Sequence, residues 1–75
     1  MKMTFETAFV YLKQGKKIRR ASMKAGWYYF VHRGSLLLNV PVEIGGETYA
    51  SYFKHSPDGD DILAEDWEVL DESTR

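Results

Sequence analysis

Cysteine is absent from this 75-residue chain, so neither a disulfide nor a thiolate metal site can reinforce the fold. Nothing in it signals a secreted, oxidising origin. No apolar run approaches the roughly 20 residues that a membrane-spanning helix needs. The first fourteen residues, MKMTFETAFVYLKQ, carry Glu6 and an amphipathic spacing instead of the continuous apolar core of a signal peptide. No linker, internal repeat or low-complexity segment interrupts the chain. These absences predict one cytoplasmic domain over residues 1–75, with DESTR (71–75) as a frayed polar tail.

Acidic residues are missing between Glu6 and Glu43, where seven basic ones stand: Lys13, Lys16, Lys17, Arg19, Arg20, Lys24 and Arg33. From Glu43 to Glu72 the balance reverses, with ten acids and only Lys54. A net charge of −1 and an isoelectric point near 6.1 argue against a dedicated nucleic-acid binder. The segregation has a simple account, in which a basic early strand and an acidic late strand lie side by side and compensate across the ladder, Arg19 and Arg20 pairing with Asp66 and Glu68. A sharper account is that part of the basic segment faces an anionic small molecule.

What is present is 44% hydrophobic and 15% aromatic. A chain this short buries only about 60% of its unfolded surface, so association with copies of itself is expected. Thr4 is placed to cap a helix over 5–14, in which Phe5, Ala8, Phe9 and Leu12 share a face, and Gly15 suits the position just past its end. KIRR (17–20) fits a short strand with Ile18 inward, and SMKAG (22–26) a loop. WYYFVH (27–32) and LLLNV (36–40) flank Arg33-Gly34-Ser35, read as a three-residue hairpin connection. Neither strand alternates apolar with polar. Trp27, Tyr29 and Val31 would line one face, Tyr28 and Phe30 the other, and one helix covers only one of them.

VEI-GG-ETY (42–49) is the clearest hairpin, its Gly45-Gly46 suited to a type I′ turn that pairs Ile44 with Glu47 and Val42 with Tyr49. ASYF continues it to Phe53, and KHSPDGDD (54–61) reads as a loop. Asp61 is then expected to cap a single helical turn that drops Ile62 and Leu63 onto the core. DWEV (66–69) alternates as a final strand with Trp67 and Val69 inward and Glu65, Asp66 and Glu68 toward solvent. The fold class is α+β: one N-terminal helix packed on a small, mainly antiparallel sheet, in a single domain that oligomerises.

Chemistry is sparse. An EF-hand loop starting at Asp58 would need Gly at 63 and Glu at 69, where Leu63 and Val69 stand. His32 and His55 lack helical metal spacing and a thiolate partner, and read as ordinary sheet or surface residues. No nucleophile elbow or phosphate-binding glycine signature is present. The reading is therefore no enzyme, no metal and no cofactor. What remains is Trp27 for stacking and Arg19, Arg20 and Lys24 for hydrogen bonds to phosphate, although aromatics in a hairpin are more often core.

Three blocks, FETAFVYLKQGKKIRRASMKAGWYYFV (5–31), the central hairpin region and DILAEDWEVL (61–70), resemble the phage Thoeris anti-defence family of the second type. The helix, GK turn, basic strand and aromatic strand, followed by the terminal D-x-LAEDW-x-V, cover almost the whole chain. The resemblance implies a homo-oligomer, a tetramer, that acts as a molecular sponge. It captures the cyclic ADP-ribose isomers that host TIR-domain enzymes make from NAD, and some relatives hold cyclic oligonucleotides. The expected ligand-binding residues are Arg20, Met23, Trp27, Arg19, Lys24 and Asp61. Where the family commonly has an Arg, two variable residues and a Trp, this chain has Arg20-Ala21-Ser22-Met23, so a flexible thioether replaces a ring. The middle segment is also short for the family. The alternative is a phage interaction protein that blocks another host defence component or nucleic-acid complex through a basic or aromatic surface.

Overall fold

A computed structural model describes residues 2–70; the tail expected at 71–75 lies outside the described residues. Helix α1 (Phe5–Lys13) begins where the Thr4 hydroxyl accepts the Thr7 N–H at 3.3 Å, and it ends before Gly15, whose φ of +94° suits glycine. Seven strands follow: β1 (Lys17–Arg20), β2 (Tyr28–His32), β3 (Ser35–Asn39), β4 (Val42–Ile44), β5 (Glu47–Tyr49), β6 (Tyr52–Lys54) and β7 (Trp67–Leu70), with helix α2 (Gly59–Leu63) before the last. The main sheet is antiparallel, in the order β6-β3-β2-β1-β7, and β4-β5 forms a separate hairpin. The α+β class, one helix on a mainly antiparallel sheet, is as expected.

Strand register explains which side chains meet the helix. Ile18 pairs with Tyr29 and Val69, Tyr29 with Leu38, and Leu38 with Phe53, so these residues share one face. Ala8 and Leu12 from α1 close over Ile18, Tyr29, Leu38 and Trp67, the buried core. Phe9 falls at the margin of the helical stripe and stays exposed. Val31, expected in the same row as Tyr29, is also exposed, because it lies two residues further along β2, toward the hairpin.

Several local expectations are corrected. Trp27 precedes β2, closing a turn through its N–H to the Lys24 carbonyl at 3.1 Å. The β2–β3 connection has two residues, Arg33 and Gly34, because Ser35 pairs with His32. Both turn residues take positive φ, +54° and +79°, the type I′ geometry that matches strand twist. Phe53 does not extend the glycine hairpin; it sits in β6 on the edge of the main sheet, and Lys54 ends that strand. The cap of α2 is Asp58, not Asp61. Asp61 is the third helical residue: its N–H donates to the Asp58 carboxylate and its own carboxylate accepts the Asp58 N–H, completing a reciprocal capping box. With the helix beginning three residues earlier, Ile62 and Leu63 point outward, 48% and 81% exposed, and Ala64 packs on the core instead.

The opposite face of the sheet carries Tyr28, Phe30, Leu37 and Tyr52, which α1 does not cover. Phe30 packs against Tyr28 at 5.7 Å and edge-on against Tyr52 at 5.4 Å between ring centres. Lys17 lies over the Tyr28 ring at 4.7 Å.

Candidate functional site

Two consecutive turns leave β1. The Met23 N–H donates to the Arg20 carbonyl at 3.1 Å, and the Trp27 N–H closes the second turn on Lys24. Gly26 is the third residue of that second turn with φ +88°, a conformation that glycine adopts without steric cost. It also abuts Pro41, whose Cγ would stand 2.6 Å from an added Cβ. The buried Asn39 amide donates to the Gly26 carbonyl at 3.0 Å, and Arg19 donates to the Met23 carbonyl. A loop that composition alone would leave mobile is thereby fixed against β3 and β1.

The loop, the core face of β2 and β3, and the start of α2 surround a cleft of about 300 Å³ lined by Ser22, Met23, Lys24, Trp27, Tyr29, Leu38, His55 and Asp61. Four residues expected from sequence, Met23, Lys24, Trp27 and Asp61, are brought together there. Arg19 and Arg20 do not line it. Arg20 Nε donates to Asp66 Oδ1 and Nη1 to Asp61 Oδ1, both at 2.8 Å. Its donors are thus spent on the protein itself. Asp66 pairs with Arg20 as charge order suggested, and its partly exposed carboxylate straps β7 to β1.

The basic early strand does lie beside the late acidic one, with Arg19 opposite Glu68 and Arg20 opposite Trp67. Charge compensation by Arg20 nevertheless runs to Asp61 and Asp66, which flank the ladder and reach its end, whereas Glu68 lies on the far face. The hydrogen bonds that Arg20 donates to Asp66 and then to Asp61 raise its pKa well above its ordinary value. The Arg20 hydrogen bond holds Asp66 below the usual carboxylate range. Burial acts to raise Asp61, but hydrogen bonds from Arg20 and the Asp58 backbone prevail and lower it. Asp61 therefore enters the cleft wall as a fixed, paired carboxylate.

Tyr29, Leu38, Ser22 and His55 were not singled out by the sequence. Tyr29 is 3% exposed, and its hydroxyl lies 3.0 Å from His55 Nδ1. Burial, with the charges of Asp61 and Asp58, pushes its phenol up to about 12. Register supplies the missing signal: β6 must join β3 before His55, just beyond its end, can meet Tyr29. Among the described residues, no group of three or more His, Asp or Glu is placed to hold a metal, and no helix is long and apolar enough to cross a membrane.

An N-terminal helix laid on an antiparallel sheet, with an aromatic and cationic cleft beside the first strand, defines a small α+β domain whose other sheet face α1 leaves uncovered. The chain belongs to the family of Thoeris anti-defense 2-like domains, whose model matches residues 3–70. It is thus an anti-defence domain. Comparison with curated proteins and with solved structures finds no match.

Proposed function

We propose that the protein is a non-enzymatic sponge that sequesters a TIR-derived cyclic ADP-ribose isomer or a related cyclic nucleotide, blocking host immune signalling. The observation that carries this reading is the convergence of Trp27, Lys24, Ser22, Tyr29 and His55 on one cleft in a chain of this family. A purine stacks on an indole face, and phosphate takes a cation and hydroxyl donors. Met23 packs beside them where the family commonly has a ring. Its sulfur accepts the Arg20 N–H at 3.2 Å, which fixes an otherwise flexible side chain.

At about 300 Å³ the cleft stands at the low end of small-molecule sites. It takes a base with its ribose, and the rest of the ligand extends beyond it. The uncovered row Tyr28, Phe30, Leu37 and Tyr52, on the opposite face of the sheet, supports assembly into a homo-oligomer, a tetramer in this reading. Light scattering is expected to give a mass above 8.7 kDa, and Phe30→Glu is expected to lower it while circular dichroism stays folded. A folded wild-type monomer would contradict the assembly.

Calorimetry with a panel of cyclic ADP-ribose isomers and cyclic dinucleotides tests the function. At least one is expected to bind, and Trp27→Ala to weaken it by about tenfold or more, the loss of one stacked base. Lys54→Ala, on the opposite face, should bind as wild type. The alternative interaction protein draws on the same uncovered aromatic row. It takes the lead if the panel fails and the chain instead retains a host protein.

A further inference from the structure

We propose that Tyr29 and His55 form the specificity-determining pair of the cleft, in which Tyr29 fixes the imidazole tautomer and His55 presents its Nε2–H to an acceptor atom of the ligand. The inference deepens the sponge reading and rests on it. Tyr29 reaches the cleft from the core: its ring packs on Trp67, with centres 6.0 Å apart, and its hydroxyl stands 3.0 Å from His55 Nδ1. A buried hydroxyl proton without an acceptor is costly. Among the described residues, His55 Nδ1 is the partner found for it. The phenol remains protonated through the physiological range, since burial and the nearby Asp61 and Asp58 charges raise its pKa to about 12.

A phenol that donates requires an unprotonated Nδ1, and a neutral imidazole must then carry its proton on Nε2. The ring is held in place by Tyr29 at 5.9 Å and edge-on by Phe53 at 6.1 Å. His55 also lines the cleft, so the nitrogen left for a ligand is a directional donor. Lys24 attracts any phosphate, and Trp27 stacks any base. A fixed N–H instead rejects a ligand that offers a hydrogen where an acceptor is needed, because the two donors would then face each other unpaired.

The pair is tested by nitrogen NMR of the imidazole and by calorimetry on the full chain. In wild-type protein at neutral pH, Nδ1 is expected to show an unprotonated shift and Nε2 a protonated one. Tyr29→Phe should release that preference, giving a mixture of tautomers, and weaken the bound cyclic nucleotide by about threefold to fivefold. His55→Phe keeps the ring contacts and should weaken it by about tenfold, the loss of one directional hydrogen bond. Where His55→Phe is unstable, the double variant Tyr29→Phe/His55→Phe leaves no orphaned hydroxyl and should show the same loss. A wild-type Nδ1 that carries the proton overturns the pair, as does His55→Phe or the double variant binding like wild type. If wild-type protein binds none of the panel, the sponge reading falls and this inference falls with it.

Discussion

Trp67→Ala is expected to remove about 3–5 kcal/mol, the range for a large aromatic deleted from a packed core. Trp67 is fully buried, and Phe5 and Tyr29 pack on it at ring-centre distances of 5.2 Å and 6.0 Å. Its indole N–H donates to the Asp61 carbonyl at 2.8 Å, while its backbone exchanges two hydrogen bonds with Met3. One side chain thus joins the helix, the sheet and the residue that closes the cleft. For a domain of this size, total stability is about 4–11 kcal/mol, so the variant is expected to lose from about a quarter to all of it. Trp67→Phe should recover most of the packing and lose one of the two hydrogen bonds to the Asp61 carbonyl, which keeps the Ala64 N–H at 3.2 Å, at a cost of about 1 kcal/mol. Urea titration of both variants checks the ordering; a Trp67→Ala midpoint close to wild type would contradict it.

Arg20→Ala is expected to cost about 2 kcal/mol, less than a fully buried pair because the Arg20 side chain is 22% exposed. The guanidinium holds two carboxylates at 2.8 Å each. Without it, Asp61 and Asp66 face each other uncompensated. Lysine cannot reproduce the planar fork that serves both, so Arg20→Lys should recover only part of the loss. A double-mutant cycle with Asp66→Ala should give a coupling of about 1 kcal/mol or more; additive effects would show the contact to be energetically idle.

The same contact fixes an acid limb. Folding lowers Asp61 and Asp66 below their ordinary 3.8. The folded state therefore binds their protons less readily than the unfolded chain, and this stabilisation is complete above the unfolded value. It is lost as pH falls from about 4 through the folded values. Wild-type stability should drop steeply in that window, and Arg20→Ala should flatten the drop.

Local signals were the legible ones. Thr4, the helical spacing of Ala8 and Leu12, Gly15, and the Gly45-Gly46 turn each act within a few residues, and all of them appear in the fold. The neighbouring of basic and acidic strands was also readable from charge order. Asp66 was readable with it as a partner of Arg20, because the final strand starts beside it; Asp61 was not, since it lies 41 residues from Arg20 and no spacing ties it to that side chain. The α2 cap could have been found: Asp58 and Asp61 stand three apart, the separation of a reciprocal capping box. Met23, Lys24 and Trp27 share one loop and were found together. Tyr29 and His55 meet only because β6 crosses to β3, and the apolar run ending at Phe53 gave no reason to end the glycine hairpin before it.

Recovery of the ligand tests the central claim most directly. The assembled protein is incubated with the tightest member of the cyclic nucleotide panel, freed of unbound ligand by filtration, heated to unfold it, and the supernatant is resolved by mass spectrometry. The sponge account predicts that the nucleotide stays with the protein through filtration and is released chemically unchanged. Ligand returned with a bond cleaved, or lost in the filtrate, would contradict it.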